Sequence, residues 1–352
     1  MAYEPKGAPF RYKGVQNVED CHTSLEVMQK AGLDWEVDKC KMFANMPIRY
    51  DSANSGDEDT FYENTVAGPR MLRLCPNAYG IYRTDYNIPL GLVKERYEPV
   101  QNIDAFKFFD DAIGKNEAIW QTAGAFGSGE RIFVSAKLPD NILVKGDPVE
   151  NYLVFTNSHD GTSGVKILFT PIRVICQNTL NAAIRSSKNF VSFRHTASVH
   201  NSIEAAKELL GICKQQTQEL SEVYNAMNDI KMDDKAMYEI MAQVIFTEAE
   251  LARIKATNHT VEQVANRFYY AVSDAELSTQ KVNIFTNMID YYDRGFGQKE
   301  IKGTGWGVYN AISGYYSNID NSTGEKRMDT LLYGDRSRKI AMAGNLILNA
   351  AA

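Results

Sequence analysis

The stretch "NYLVFTNSHDGTSGVKILFT", residues 151–170, decides the fold because it carries two strand patterns joined by a turn. Both ends are rich in β-branched and aromatic residues, which favour a pleated, half-buried backbone. The linking octet "NSHDGTSG" (157–164) consists of residues that bond to the local backbone or tolerate positive φ. The stretch therefore predicts a β-hairpin, and the pair His159–Asp160 has a sufficient explanation as part of its turn.

A helix is predicted directly after this hairpin. Thr170 can cap it, and Pro171 can occupy its first position, where the missing N–H costs nothing. Apolar residues at helical spacing predict its buried face: Ile172, Ile175, Cys176, Leu180, Ala183 and Ile184. Polar residues at steps of four form a ridge on the opposite face: Arg173, Gln177, Asn181 and Arg185. A short strand, "NFVSF" (189–193), is predicted next.

The preceding segments predict two more hairpins and a helix. In "YGIYRTDYNIPLGLVKERY" (79–97) a turn around Asn87–Pro89 separates two strands. In "AIWQTAGAFGSGERIFVSAKLP" (118–139) the glycines of "GSG" provide the turn. Between them, "NIDAFKFFDDAIG" (102–114) predicts a short helix capped by Asn102.

Residues 199–227 carry an apolar stripe that predicts a long helix packed against another helix, within the chain or across a subunit boundary. Its steps alternate between four and three: Val199, Ile203, Ala206, Leu210, Cys213, Thr217, Leu220, Tyr224 and Met227. Further helices are predicted after Asp233–Asp234 and after Thr260, where Gln263 would complete a capping box. Near the C-terminus, "GTGWG" (303–307) lacks the spacing and lysine of a phosphate-binding loop, so a turn into a helix is the better interpretation.

These patterns together predict an α+β fold: an antiparallel sheet with a packed helix, then a helical region and a glycine-rich C-terminal segment. We divide the chain into an N-terminal segment (1–78), an α+β core domain (79–196), a helical region (197–294) and the glycine-rich segment (295–352). Thr23 and Gly32 mark the start and end of one helix in the first of these.

The composition bounds the classes of function. The net charge of −6 argues against general nucleic-acid binding, although a local basic surface is compatible with it. Five scattered cysteines form no C-x-x-C pair, so neither a zinc ribbon nor a disulfide framework is indicated. The start lacks the apolar core of a signal peptide, and the tail "IAMAGNLILNAAA" is too short to span a bilayer. We expect a cytoplasmic protein without a membrane partner or a cofactor.

Two candidate catalytic sites can also be explained as structural features. His159 and Asp160 could belong to a metal-dependent hydrolase, but such sites need further ligands, and the five histidines form no H-x-x-x-H pair. Cys176 could act as a nucleophile with His159 or His195, yet it falls on the apolar face of the predicted helix. We therefore predict no catalytic or metal-binding residue, and a packing role for Cys176.

A basic surface is the third possibility. Residues 161–203 contain no Asp or Glu. Their guanidinium, ammonium and amide groups could hold phosphate oxygens, and Phe190 or Phe193 could stack on bases. The alternative is a solvated helix face whose positive charge is incidental. We predict as nucleic-acid-binding residues Lys166, Arg173, Gln177, Asn181, Arg185, Lys188 and Arg194.

Several phrases resemble one known family. They are "AGLDWEVDK" (31–39), "YRTDYNIPLGLVKERYEPVQN" (82–102), "TAGAFGSGERIFVSAKLP" (122–139), "TNSHDGTSGVKILFTPIRVICQNTL" (156–180) and "GTGWGVYNAI" (303–312). In order and over most of the chain, they resemble the phage/plasmid-like proteins of unknown function from bacteriophages, prophages and plasmids. That resemblance brings no catalytic residues; it implies a mobile genetic element and a bacterial or phage-infected cytoplasm. The order of hairpins and helix also looks like the core of phage single-strand annealing proteins, an analogy of fold alone.

The leading hypothesis is a non-enzymatic, homo-oligomeric protein of a phage or mobile element that binds nucleic acid, with single-stranded DNA as the expected partner. Two alternatives stay open at this point. One is a structural or regulatory assembly protein that associates through the 199–227 stripe. The other is a hydrolase that uses His159 and Asp160. The sequence does not distinguish DNA from RNA or protein as the partner, nor does it give the number of subunits.

Overall fold

A computed structural model describes the chain over most of its length. The described residues are 14–48, 59–65, 68–114, 118–173, 178–179, 190–199, 209–319, 324–332 and 334–350. Within them, antiparallel sheets are followed along the chain by a helical part, so the predicted α+β fold class is confirmed.

Counted over the described residues, the larger sheet has eight strands, all antiparallel to their neighbours. Its order is β1-β6-β7-β9-β10-β11, with β8 also paired to β9 and β12 also paired to β10. The strands span β1 (Val15–Asn17), β6 (Ile119–Phe126), β7 (Arg131–Lys137), β8 (Ile142–Val144), β9 (Asp147–Ser158), β10 (Val165–Arg173), β11 (Asn178–Thr179) and β12 (Phe190–Phe193).

The predicted central hairpin is confirmed. Strands β9 and β10 pair from Thr156↔Lys166 to Val149↔Arg173 without a register shift, and the octet 157–164 contains their connection. The hairpin of β6 and β7 also forms, and Gly127 and Gly129 in its turn adopt φ values of 62° and 123°, which residues with a Cβ rarely do.

The helix predicted from Thr170 is wrong in its described part, because β10 continues through Thr170 and Pro171 to Arg173. Pro171 pairs with Asn151 on β9. On its other side β12 covers residues 165–168 and β11 covers 172–173, so Pro171 falls in the gap between them. A strand tolerates proline where no ladder bond needs its N–H, and the Thr-Pro signal of a helix start therefore misled the prediction. Residues 174–177 and 180–189 lie outside the described part.

A smaller antiparallel sheet surrounds one long strand, β4 (Gly68–Arg83). Strand β2 (Val37–Pro47) runs along one side of it; β3 (Thr60–Thr65) and β5 (Ile88–Val93) share the other side. The hairpin of β4 and β5 was predicted, and Asn87 in its turn has φ 55°. Strands β2 and β3 were not predicted, and β4 runs across the boundary that we expected at residue 78.

Two helices cover one face of the larger sheet. Helix α1 (Ser24–Ala31) has the predicted cap at Thr23, in a capping box with Glu26, and it ends at Gly32. Helix α2 (Asn102–Gly114) buries Phe106 and Phe109 against Trp120. The predicted cap of α2 is wrong: the Asn102 amide instead donates to the carbonyls of Leu33 and Trp35, which joins α2 to the chain after α1.

The C-terminal part is helical. It comprises α3 (Leu209–Asp229), α4 (Asp234–Ile245), α5 (Glu248–Ala256), α6 (Val261–Ala265), α7 (Tyr269–Ser273), α8 (Thr279–Arg294), α9 (Gly305–Gly314), a π-helical turn (Tyr315–Ile319), α10 (Gly324–Leu332) and α11 (Asp335–Asn349). The predicted starts of α4, capped by Asp233, and of α6, with its Thr260–Gln263 capping box, are confirmed.

Helix α9 forms the centre of this helical part, since all of its residues are buried. The "GTGWG" motif is its first turn: Thr304 caps the helix, as expected of a turn into a helix rather than a phosphate loop. A Cβ on Gly305 would come within 2.8 Å of the Met227 carbonyl oxygen, so the glycine allows α3 and α9 to approach closely.

The apolar stripe of residues 199–227 packs within the chain where it is described. Leu220, Tyr224 and Met227 are fully buried, and the Tyr224 ring lies 4.9 Å from the ring of Trp306 on α9. These positions are therefore occupied by intramolecular contacts and cannot serve as an open surface for self-association.

Candidate nucleic-acid interface

Arg173 does not belong to an exposed ridge. Its side chain is fully buried, with Nε 2.5 Å from Oδ2 of Asp147 and Nη2 donating to the carbonyl of Gly297 at 2.9 Å. The indole of Trp306 donates to the same Asp147 oxygen at 2.9 Å. A guanidinium committed to a buried carboxylate is not accessible to a phosphate, so the prediction that Arg173 binds nucleic acid is wrong.

The remaining predicted residues divide into two groups. Gln177, Asn181, Arg185 and Lys188 lie outside the described residues, and their prediction stays untested. Lys166 is half-buried on β10, where its pairing partner on β12 is Ser192. Arg194 is exposed and follows the last residue of β12. These two basic residues therefore lie near one end of the larger sheet, at its β10–β12 edge.

An open cleft of about 560 Å³ lies at this end of the sheet. Its walls are the segment after β5, the connection between β9 and β10, and the segment after β12. It is lined by Leu92, Val93, Lys94, Arg96, Tyr97, Gly161, Thr162, Ser163, Gly164, Arg194, His195 and Thr196. No carboxylate occurs among these residues, and Lys94, Arg96 and Arg194 are all exposed. The cleft thus combines three cations with the aliphatic hydroxyl groups of Thr162, Ser163 and Thr196 and the phenol of Tyr97.

Two glycines allow the walls to meet. A Cβ on Gly91 of β5 would lie 2.4 Å from the Cα of Asp160, so only a glycine permits this approach of the smaller sheet to the β9–β10 connection. Gly161 has φ 75°, and a Cβ there would come within 2.8 Å of the Val93 side chain. Both glycines therefore position the Lys94–Tyr97 segment opposite the connection and the end of β12.

Hydrogen bonds and a ring stack stiffen the floor of the cleft. The hydroxyl of Tyr97 donates to the carbonyl of Ser158 at 2.9 Å. The rings of Tyr97 and His195 are stacked with centroids 4.4 Å apart, and Nδ1 of His195 bonds to the carbonyl of Glu98 at 3.1 Å. Burial lowers the pKa of His195, so we expect a neutral ring at neutral pH, and the positive charge of the cleft comes from its lysine and arginines.

His159 lies beneath this surface and not in the cleft. It is fully buried, its Nε2 is 2.9 Å from Oδ1 of Asn102, and Trp35 packs against its ring. Burial, together with the nearby His195, lowers the pKa of His159 to about 3. A neutral, enclosed imidazole cannot reach a substrate in solution. His159 therefore cannot act as the general base that the hydrolase alternative requires.

Asp160 organises the β9–β10 connection. Its Oδ1 accepts hydrogen bonds from the hydroxyl of Ser158 and from the N–H and hydroxyl of Thr162, the last two at 2.9 and 2.6 Å. Burial raises the pKa of Asp160, but these hydrogen bonds outweigh it and lower the pKa overall. The interpretation of this segment as a structural turn accounts for every one of these contacts. Over the described residues, no group of three His, Cys, Asp or Glu side chains could hold a metal ion.

Lys94 and Arg96 were not among the predicted binding residues. They belong to "KER" (94–96), near the end of the segment predicted as the second strand of its hairpin, where Glu95 balances part of their charge. Lys94 and Arg96 line the cleft, whereas Glu95 does not. The only local signal was this alternation of charge, and nothing in it indicated that Arg194 lies opposite.

Comparison with known proteins gives one match. A family model described as a domain of unknown function (DUF932) matches residues 89–344, which include all three cations of the cleft and exclude β2 and β3. No curated protein and no solved structure matches the chain. None of the helices in the described ranges is long and apolar enough to cross a lipid bilayer.

Proposed function

The chain belongs to the DUF932 family, a domain of unknown function, and we propose that it binds single-stranded nucleic acid in the basic cleft without catalysing a reaction. The observation that carries this proposal is the cleft lining: its charged side chains are Lys94, Arg96 and Arg194, and no carboxylate lines it. Lysine and arginine side chains flanked by hydroxyl groups are suited to phosphodiester oxygens.

The size of the cleft favours a single strand. A volume of about 560 Å³ is in the range of sites that enclose one small molecule, hence one or two nucleotides rather than a duplex. Leu92 lines the same cleft and is 66% exposed, which offers an unpaired base an apolar contact. A duplex keeps its bases stacked and paired, and it would gain nothing from that contact.

The other predictions made from the sequence are kept as parts of this proposal. Lys166, two residues along the chain from Gly164 of the cleft, would extend the phosphate path. Gln177, Asn181, Arg185 and Lys188 of the same acid-free segment stay in the proposal as predicted binding residues. The resemblance to phage and plasmid proteins supports DNA of a mobile element as the partner and the bacterial cytoplasm as the location. Self-association is retained as part of the proposal, but the residues 220–227 are not its surface.

Fluorescence anisotropy with labelled single-stranded and duplex DNA tests the proposal. Three phosphate contacts predict a slope of log K against log salt concentration of about −2, since single strands contribute roughly −0.7 per contact. The double variant Arg96→Ala/Arg194→Ala should reduce this slope to about −0.7 and weaken binding at low salt. Lys299 and Lys326 are exposed cations outside the cleft, so Lys299→Ala/Lys326→Ala is a control with the same loss of charge.

The two variants separate a site from a general charge effect. If both weaken binding equally, the nucleic acid is attracted only by overall charge and the cleft is not its site. If the wild-type protein binds neither DNA at low salt, and single-stranded RNA of the same length also fails to bind, the proposed function is rejected.

A further inference from the structure

Over the described part of the chain, strand β3 is an edge strand of the smaller sheet. Residues Thr60–Thr65 pair with β4 along one side, from Thr60↔Arg73 to Thr65↔Gly68, without a register shift. Along the other side, no strand among the described residues pairs with it. An edge strand presents a row of unpaired N–H and C=O groups, which is a template for another strand.

The opposite edge of the same sheet differs in the features that prevent such pairing. Strand β2 contains Lys39, Lys41 and Pro47, and a register shift lies between Lys41 and Phe43. Lysines, prolines and bulges are the devices that protect natural sheet edges. Strand β3, "TFYENT", contains no lysine, proline or bulge. Strand β5, on the same side of β4 as β3, contains Pro89 and pairs with β4 through a register shift between Ile81 and Tyr82. Of these three edge strands, only β3 is therefore suited to accept another strand.

The side chains of β3 also favour a pairing surface. Phe61 and Tyr62 are 53% and 54% exposed. They point to opposite faces of the sheet, because successive residues of a strand alternate. Among the described residues, the ring next to Phe61 on its face is Phe43, with ring centroids 5.5 Å apart. A new strand beside β3 would cover the open flank of both aromatic rings.

We propose that a second copy of this chain pairs with β3 through its own β3, in antiparallel orientation, to join two smaller sheets into one continuous sheet. The interaction would form around a two-fold axis perpendicular to the sheet. Such an axis lies midway between the two β3 strands and places one residue directly opposite the same residue of the partner.

Charge selects which residue lies on the axis. An axis at Glu63 would place two carboxylates directly opposite each other, which is destabilising. An axis at Tyr62 pairs the two Tyr62 rings and places Phe61 opposite the partner's Glu63. In its own sheet, each Glu63 is paired in register with Arg70 of β4. We therefore propose the register centred on Tyr62, which keeps the two carboxylates apart and pairs the two Tyr62 rings.

This inference specifies the self-association named in the proposed function, yet it does not depend on nucleic acid. Strand β3 precedes the matched residues 89–344 and is not part of the cleft. The experiments below use protein free of nucleic acid, so a dimer that binds no DNA would support the inference while the proposed function fails.

Light scattering coupled to size exclusion measures the assembly. We expect twice the mass of the chain for the wild-type protein and the monomer mass for Tyr62→Lys, because two lysines would meet on the axis. Tyr269 is 73% exposed on α7, so Tyr269→Lys introduces the same charge at a control site and should leave the dimer intact. A monomeric wild-type protein, or a dimer unaffected by Tyr62→Lys, would overturn the proposal.

Single-cysteine variants test the register. The five native cysteines are first replaced by serine, and circular dichroism verifies the fold of that background. Directly opposed residues of antiparallel strands are close enough to form a disulfide after a small adjustment. Under mild oxidation Tyr62→Cys should then give a covalent dimer and Glu63→Cys should not. Cross-linking at position 63 without cross-linking at position 62 would overturn the proposed pairing.

Discussion

Arg173 and Asp147 form a buried ion pair between the end of β10 and the start of β9, with Nε and Oδ2 separated by 2.5 Å. The Gly297 carbonyl accepts a hydrogen bond from Arg173 and the Trp306 indole donates one to Asp147, so the pair connects the larger sheet to the helical part. Arg173 was predicted from the sequence to bind phosphate, but in the structure it links the larger sheet to the helical part.

The first prediction concerns this pair. Asp147→Ala should lower the free energy of unfolding by about 3–5 kcal/mol, because it removes the carboxylate that is paired with the buried Arg173 guanidinium. Urea unfolding at neutral pH measures the change. Lys302 and Asp293 form an ion pair whose side chains are 46% and 48% exposed, so Asp293→Ala should cost less than about 1 kcal/mol. If Asp147→Ala and Asp293→Ala lower the free energy of unfolding equally, burial does not make the Arg173–Asp147 pair more important for stability than an exposed pair.

The second prediction concerns the pH dependence of stability at His159. The pKa of His159 is about 3 in the folded chain and 6.5 in an unperturbed histidine, so between these values the unfolded chain binds more protons. The stabilisation is therefore complete above pH 6.5 and is lost as the pH falls towards the folded pKa. We expect protonation of His159 in the unfolded chain to lower the free energy of unfolding by about 2 kcal/mol between about pH 8 and pH 5.

The variant His159→Gln keeps an amide near Asn102 but cannot titrate, so its unfolding free energy should depend less on pH. Urea unfolding at a series of pH values measures the difference from the wild-type protein. His22 is exposed, and His22→Gln should leave the wild-type pH dependence unchanged. An unchanged slope in His159→Gln would mean that the imidazole is accessible to protons in the folded chain.

The third prediction concerns the approach that forms the cleft. In Gly91→Ala the new Cβ would meet the rigid backbone of Asp160, so we expect a loss of about 1–3 kcal/mol in unfolding free energy. Because the Lys94–Tyr97 segment would move away from Arg194, affinity for single-stranded DNA should fall as well. Thermal unfolding and anisotropy measure the two effects.

Gly80 in the neighbouring strand provides the matched control. A Cβ there would meet the sulfur of Met42 at 2.9 Å and that of Cys40 at 3.2 Å, and the end of the methionine side chain can move. Gly80→Ala should therefore have the smaller effect on stability and none on DNA binding. The proposed role of Gly91 fails if both variants bind DNA as the wild-type protein does.

Local signals in the sequence predicted a large share of the fold. The turns of β4–β5 and β6–β7 follow from Asn87 and from the glycines 127 and 129, whose positive φ values are set by residues in the turn itself. The cap at Thr23 and the capping box at Thr260 bond to residues within three positions. Such features are decided by nearby atoms, and a single sequence contains all of the information that they need.

The misassigned residues depend on atoms that are distant in sequence. In the sequence, Thr170 and Pro171 match the start of a helix. Only the gap between β11 and β12 on β10 shows that Pro171 can also lie in a strand. Asn102 looked like a cap, but its amide bonds to the carbonyls of Leu33 and Trp35. Strands β2 and β3 have no clear alternation and form along β4, whose backbone supplies their hydrogen bonds.

By itself the sequence determined the α+β class, three hairpins, the starts of α1, α4, α6 and α9, and the acid-free segment that contains Lys166 and Arg194. Tertiary structure alone decided which charges are exposed: it enclosed Arg173 with Asp147 and placed Arg194 across a cleft from Lys94 and Arg96. The physical reason is that the charged residues can be identified from the sequence, whereas the solvation of each charge depends on which distant backbone and side-chain atoms surround it.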